Sequence, residues 1–175
     1  MKKYFTIIVL LITGTSVFAQ NNIVSSKVSF EIKNLGIKTG GTIGGVTAII
    51  NFDPANLSAS KIEATAEVNT IDTDNSLRDS HLKGEDYFNA EKYPMIVMSS
   101  TTFKQKGGNN YMGSFNITIK GITKSVDLPF TYADTGNANS FKGSFKINRR
   151  DFGIGGNSLT LSDEVIVNVE VKASK

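Results

Sequence analysis

The sequence predicts an all-β domain: an eight-stranded antiparallel barrel with a short helical insertion capping one end. Three observations carry this. Apolar and polar side chains alternate through successive segments, as they do when one face of a strand is dry and the other wet. Glycine, asparagine, aspartate and proline punctuate those segments where tight turns would fall. The alternation stops for long only once, across residues 72–94 (DTDNSLRDSHLKGEDYFNAEKYP).

Lys2 and Lys3, an apolar run over residues 5–12 and the step Val17-Phe18-Ala19 read as a signal peptide, residues 1–19. The folded domain is then residues 20–175. The run is too short to span a bilayer and no later stretch is longer, so no integral membrane segment is expected after signal cleavage. The expected location is periplasmic or secreted. Cysteine is absent, which removes disulfides and a lipoprotein anchor and leaves the domain dependent on its own core.

The strands follow in order. Residues 26–34 place Val28, Phe30 and Ile32 on one face. After Gly40 and Gly41 one long strand runs to Phe52 with Val46, Ala48 and Ile50 in phase, bent at Gly44-Gly45. Asp53-Pro54-Ala55-Asn56 is a turn, and residues 61–71 align Ile62, Ala64, Ala66 and Val68. A helix follows, capped by Asp74, Asn75 or Ser76 and ending near Gly84, with Leu77, Leu82 and Phe88 as its apolar contacts. Tyr93-Pro94 returns the chain to a strand.

Residues 95–103 carry apolar side chains of both parities, so their facing is ambiguous. A hairpin turn at residues 107–110 leads to Phe115, Ile117 and Ile119, then past Gly121 to Val126, Leu128 and Phe130. Residues 133–140 read as a polar loop, and Phe141, Gly143, Phe145 and Ile147 as the seventh strand. A glycine-bearing connection over residues 148–157 precedes the eighth, with Val165, Val167, Val169 and Val171. Closure protects the edges of an exported sheet. At this strand number an interior either fills with side chains or holds one slender ligand, and the mixture of Ala48, Ala64, Ala66 and Gly143 with long aliphatics and phenylalanines fits both.

Several function classes lack support. Of the 19 basic residues, the 17 that remain without Lys2 and Lys3 nearly balance the 16 acidic ones, and no basic patch interleaves with aromatics, so nucleic acid is not an expected partner. One histidine, no cysteine and scattered carboxylates give no recognised metal spacing, and no cofactor is expected. His81 has Asp79 nearby to orient it but no nucleophile context, so no catalytic residue is expected. Arg78-Asp79 and Arg149-Arg150-Asp151 read first as ion pairs fastening the helix to the barrel rim. The functional alternative places Arg78, His81, Lys83 or Arg149 on a ligand head group.

The strings GGTIGGVTAIINFDP, SLRDSHLKGEDYFNAEKYP, TIKGITKSV and INRRDFGI, with Ile71-Asp72-Thr73 ahead of the second, are similar to the YceI family of bacterial lipocalin-like proteins. The resemblance runs from about Ser26 to the C-terminus. It implies a lipocalin-like barrel whose interior binds an apolar lipid such as a polyisoprenoid, as a non-enzymatic carrier or store, in a monomer or homodimer. The implied lining is Phe30 and Ile32; Val46, Ala48 and Ile50; Ala64, Ala66 and Val68; Leu77, Leu82 and Phe88; Met98; Phe115 and Ile117; Leu128; Phe141, Phe145 and Phe152; and Val167 and Val169. Arg78, His81 and Arg149 are the implied head-group or rim residues. The alternative is a solid-core barrel serving as an interaction module.

Overall fold

The computed structural model describes residues 23–175, so the signal peptide expected at residues 1–19 lies outside the described residues. The strands are β1 (Ile23–Asn34), β2 (Ile37–Ile43), β3 (Thr47–Asn51), β4 (Lys61–Glu67), β5 (Met95–Gly107), β6 (Asn110–Ile119), β7 (Ile122–Asp134), β8 (Ala138–Asn148) and β9 (Leu161–Ser174). One helix, α1 (Ser76–Lys83), lies between β4 and β5, and short 3-10 turns occupy Val68–Thr70 and Arg149–Phe152. Among the described residues no helix is long and apolar enough to cross a membrane.

All nine strands form one antiparallel sheet in the order β2-β1-β9-β8-β7-β6-β5-β4-β3, curled into a half-barrel. The expected closed barrel of eight strands is therefore corrected to an open, curled sheet of nine, because β2 and β3 do not pair with each other. The single long strand expected up to Phe52 breaks in two at Gly44, Gly45 and Val46, and its halves become the two edges of the sheet. Gly45 adopts φ +59°, and a Cβ there would fall 2.6 Å from Glu67 Cγ, so only glycine turns this corner. The link's polar groups are met from β4 and the turn beyond it: Glu67 N donates to Gly44 O (3.1 Å) and Gly44 N to Thr70 Oγ1 (2.7 Å).

β2 is covered on its open side by the strap of residues 71–73. Thr42 N donates to Asp72 O (2.8 Å) and Asp72 N returns to Thr42 O (3.1 Å). Gly41 permits that approach, since a Cβ on it would lie against the Asp72 carbonyl.

Other expectations shift for local reasons. Residues 133–140 are not a loop: β7 runs on to Asp134 and β8 starts at Ala138, because Tyr132 pairs with Phe141 and its hydroxyl donates to Asn139 Oδ1 at 2.9 Å. The ambiguous parity of β5 resolves through a register shift between Ser100 and Thr102. Before it Ile96 and Met98 face inward; after it Phe103 does. Residues 61–71 leave the sheet at Glu67, after which Val68 turns into a separate small core with Ile43, Ile71 and Ala90.

The larger core is densest at the end of the sheet near the β5–β6 and β7–β8 turns. Phe52 sits at its centre, with ring centroids 5.3 Å from Phe103, 5.2 Å from Tyr111, 5.6 Å from Phe130, 5.1 Å from Tyr132 and 5.6 Å from Phe141. Most of these contacts are edge-to-face, the arrangement that the ring quadrupoles favour.

Candidate functional site

Beyond that aromatic plug the inward side chains stop meeting, and they enclose a cavity of about 1000 Å³. This is the upper end of the size range of small-molecule pockets. Ile50, Phe130 and Phe141 belong to both the core and the cavity wall and so form its floor. Its sides come from the inward residues of β1 and β3 to β9, with Ile43 of β2, and are almost wholly aliphatic or aromatic.

The rim is built from the β1–β2 tip (Leu35, Ile37, Thr39), α1 (Leu77, Arg78, His81, Leu82) and the connection ahead of β9 (Gly155, Gly156, Asn157, Ser158, Thr160). Most of the cavity's polar lining is concentrated there. Helix α1 begins where Asn75 Oδ1 accepts from Arg78 N (3.0 Å) and ends at Gly84, within the limits expected from sequence. The following turn is closed by Phe88 N to Leu82 O (3.0 Å) and Ala90 N to Lys83 O (2.9 Å).

Thr73, which is buried, organises the helix charges. Its N and Oγ1 donate to Asp79 Oδ1 at 2.9 and 2.5 Å. Arg78 donates through Nε to Thr73 Oγ1 (2.8 Å), through Nη2 to Thr73 O (2.6 Å) and through Nη1 to Thr39 Oγ1 (3.1 Å). The expected Arg78-Asp79 ion pair is thus replaced by two charges sharing one threonine. Adjacent residues on a helix do not face each other, so a common partner is the geometry open to them. Asp79 is spent on Thr73 and does not orient His81, which lies on the rim.

Arg149 is 2% exposed. Its Nε donates to Ser162 O (3.0 Å), its Nη1 to Ile154 O (2.8 Å) and Gly156 O (3.0 Å), and Nη2 lies 2.9 Å from Asp163 Oδ1 without hydrogen-bond alignment. The expected pairing within Arg149-Arg150-Asp151 is corrected: both arginines turn to Asp163, Arg150 Nη1 at 3.7 Å, and fasten the connection to β9 rather than to the helix. Lys120 Nζ ties the segments of the rim by donating to Glu85 O (2.8 Å) and Gly153 O (3.0 Å).

The cavity wall brings together Phe30, Ile32, Val46, Ala48, Ile50, Ala64, Ala66, Leu77, Leu82, Phe88, Met98, Phe115, Ile117, Leu128, Phe141, Phe145, Val167 and Val169, with Arg78, His81 and Arg149 near its mouth. Two of the residues implied as lining lie elsewhere. Val68 is in the small core under the strap, and Phe152 is buried in the main core beside Ile154. Lys83 does not reach the wall. Sequence reasoning missed Leu35, Ile37 and Thr39 on the rim, because Leu35-Gly36-Ile37 reads as a connector; it also left out Tyr87, Ile96 and Val165. For Val165 the strand parity was a sufficient signal.

A single curled antiparallel sheet around an apolar cavity with a polar rim defines an all-β container. A sequence model of the YceI-like domain matches residues 21–173, and the chain belongs to that family. A UPF0312 protein of Photorhabdus laumondii is 33% identical over 132 residues, 71% of this chain and 68% of that protein. A UPF0312 protein of Yersinia pestis is 32% identical over 152 residues, 82% of this chain and 79% of its own. Among solved structures, Burkholderia cenocepacia BcnA superposes with a TM-score of 0.82 at 29% identity, covering 85% of this chain and 96% of that one. A polyisoprenoid binding domain from Saccharophagus degradans shares the fold, with a TM-score of 0.71 at 11% identity over 89% of this chain and 98% of its own.

Proposed function

We propose that the protein is a non-enzymatic binder of a long-chain amphiphile, a polyisoprenoid or a lipid of similar shape, which it carries or sequesters in the periplasm or outside the cell. The observation that carries this reading is the cavity of about 1000 Å³, walled by hydrocarbon and polar mainly at its rim. An apolar chain fits the interior, and its polar end meets Arg78, His81 and Thr39. The polyisoprenoid-binding description of the Saccharophagus degradans domain supports the same class of cargo. Burying roughly fifteen methylenes at about 0.8 kcal/mol each supplies about 12 kcal/mol. Subtracting about 4 kcal/mol for association leaves roughly micromolar affinity. His81 without an orienting carboxylate supports holding the cargo rather than transforming it.

The test is purification without detergent, solvent extraction and mass spectrometry of the extract, followed by titration of the stripped protein with a fluorescent polyene fatty acid. Co-purified long-chain lipid and saturable uptake of the probe are expected. Val167→Trp, which places an indole in the cavity, is expected to weaken uptake at least about tenfold while the protein stays folded. An extract free of lipid together with no uptake by the stripped protein overturns the reading.

A further inference from the structure

Eight large apolar side chains are exposed among the described residues, and the four most exposed surround the cavity mouth. Leu35 is 73% exposed, Ile37 72%, Leu77 67%, and Leu159 fully so. They come from three separate elements that are laced together. Leu35 N donates to Thr160 O (2.9 Å), Asn34 pairs with Leu161, and Arg78 Nη1 reaches Thr39 Oγ1 (3.1 Å). The collar is therefore held in place facing solvent, and clustered exposed apolar groups of this kind mark an interaction surface.

We infer that this collar docks the cavity mouth onto a lipid bilayer, so that cargo passes between membrane and cavity without crossing water; this deepens the binding reading by naming where the cavity is loaded. Two features favour a bilayer over a protein. Leu35, Ile37 and Leu77 are at once exposed and part of the cavity lining, so apolar side chains continue from the polar-flecked rim inward; a protein seated there would stopper the opening, whereas acyl chains continue it. Charge also suits phosphate head groups. Lys33 stands opposite Lys38 at the β1–β2 tip, and neither Lys33 nor Arg78 is in an ion pair among the described residues. Glu31 neutralises Lys38 at 2.9 Å, and Asp72 and Asp74 lie on the strap leading into α1, so the apolar collar is the larger contributor.

The experiment is flotation of the full chain, after signal removal, with vesicles of phosphatidylcholine containing phosphatidylglycerol. Binding is expected, partly weakened by high salt. The triple variant Leu35→Ser, Leu77→Ser, Leu159→Ser is expected to bind at least about tenfold more weakly. Ile49→Ser, an exposed apolar site on the β3 edge strand away from the mouth, is expected to bind as the parent does. Thermal melts confirm that each variant is folded. The proposal is overturned if the parent protein does not float, if the Ile49 and collar variants lose binding equally, or if ultracentrifugation shows a dimer that the collar variant dissolves, since a second copy then covers the mouth. Uptake of the polyene fatty acid in vesicle-free solution separates the two readings. Uptake without flotation sinks docking alone, and flotation without uptake sinks the cavity reading alone.

Discussion

A single strand, β9, passes from one regime of the molecule to the other. Its inward valines at 165, 167 and 169 remain only half-buried, because they border empty space, whereas Val171, where the cavity meets its floor beside Phe141, and Ala173 beyond it are buried against the aromatic plug. Both halves obey the same alternation. What changes is the crowding of large rings around them: Phe52, Phe103, Tyr111, Phe130 and Phe141 cluster at the filled end, whereas at the hollow one Phe30, Phe88, Phe115 and Phe145 are interspersed with Ala48, Ala64, Ala66 and branched aliphatics. Strand parity decides which side chains point inward, and volume decides whether they touch.

The contrast predicts unequal responses to truncation. Phe52→Ala at the filled end is expected to cost about 3–5 kcal/mol, lowering the melting temperature by roughly 10 °C or more. Val167→Ala on the cavity wall is expected to cost less, about 1–2 kcal/mol, since its methyl groups pack against Phe30 and Phe145 on the neighbouring strands but face the cavity on the inner side. Equal losses in calorimetry would erase the distinction between the two ends.

Enlargement repeats the comparison at smaller amplitude. A Cβ on Gly113 falls 2.5 Å from Phe115 Cε2 and 3.1 Å from Phe103 Cε1, so Gly113→Val is expected to destabilise by about 1–3 kcal/mol in urea unfolding. Ala64→Val, which extends into the cavity, is expected to be near neutral, and a comparable loss there would mean that the space is already taken.

The filled end also carries the pH dependence. Burial, and then the nearby Asp134 carboxylate, raise the Tyr132 phenol above its ordinary value of 10.0. The folded state thus disfavours the phenolate, so this stability is full below pH 10 and is lost as pH rises through the folded value. Tyr132→Phe is expected to flatten the fall in melting temperature between about pH 9.5 and 11. Smallest of all is Asp134, exposed at the β7–β8 turn, whose carboxyl is held low chiefly by its hydrogen bond from Lys175 Nζ (2.6 Å) and then by Gly136 N. Its contribution is present above the usual carboxylate range and fades as pH falls through the lowered value; Asp134→Asn is expected to change acid unfolding only slightly.

Much of the fold was legible because alternation is a one-dimensional signal: Val28, Phe30 and Ile32 or Phe141, Gly143 and Phe145 need only their spacing to declare a face. The facing of β5 was not, since the bulge after Ser100 inverts parity midway and no local residue announces it. The break at Gly44-Gly45 was marked as a bend, but whether a bend interrupts pairing depends on Glu67 and Thr70, distant in sequence. For the site, most of the wall followed from parity, while Val68 and Phe152 did not, because each lies just past the end of a strand where the period of two no longer applies. Charge partners were misjudged wherever nearness in sequence stood in for nearness in space. Arg149 shows this best, its guanidinium turning to Asp163 instead of Asp151.

The cations that gather the mouth, Lys120 and Arg149, take hold of main-chain carbonyls at Glu85, Gly153, Ile154, Gly156 and Ser162. Every amino acid offers that oxygen. The opening's contour is thereby uncoupled from the identity of most side chains that decorate it; Ser158 is the exception, its Oγ accepting from Thr160 N (3.2 Å) and Leu161 N (3.0 Å), so that Asn157 and Leu159 are the positions there that can vary without loosening the scaffold beneath.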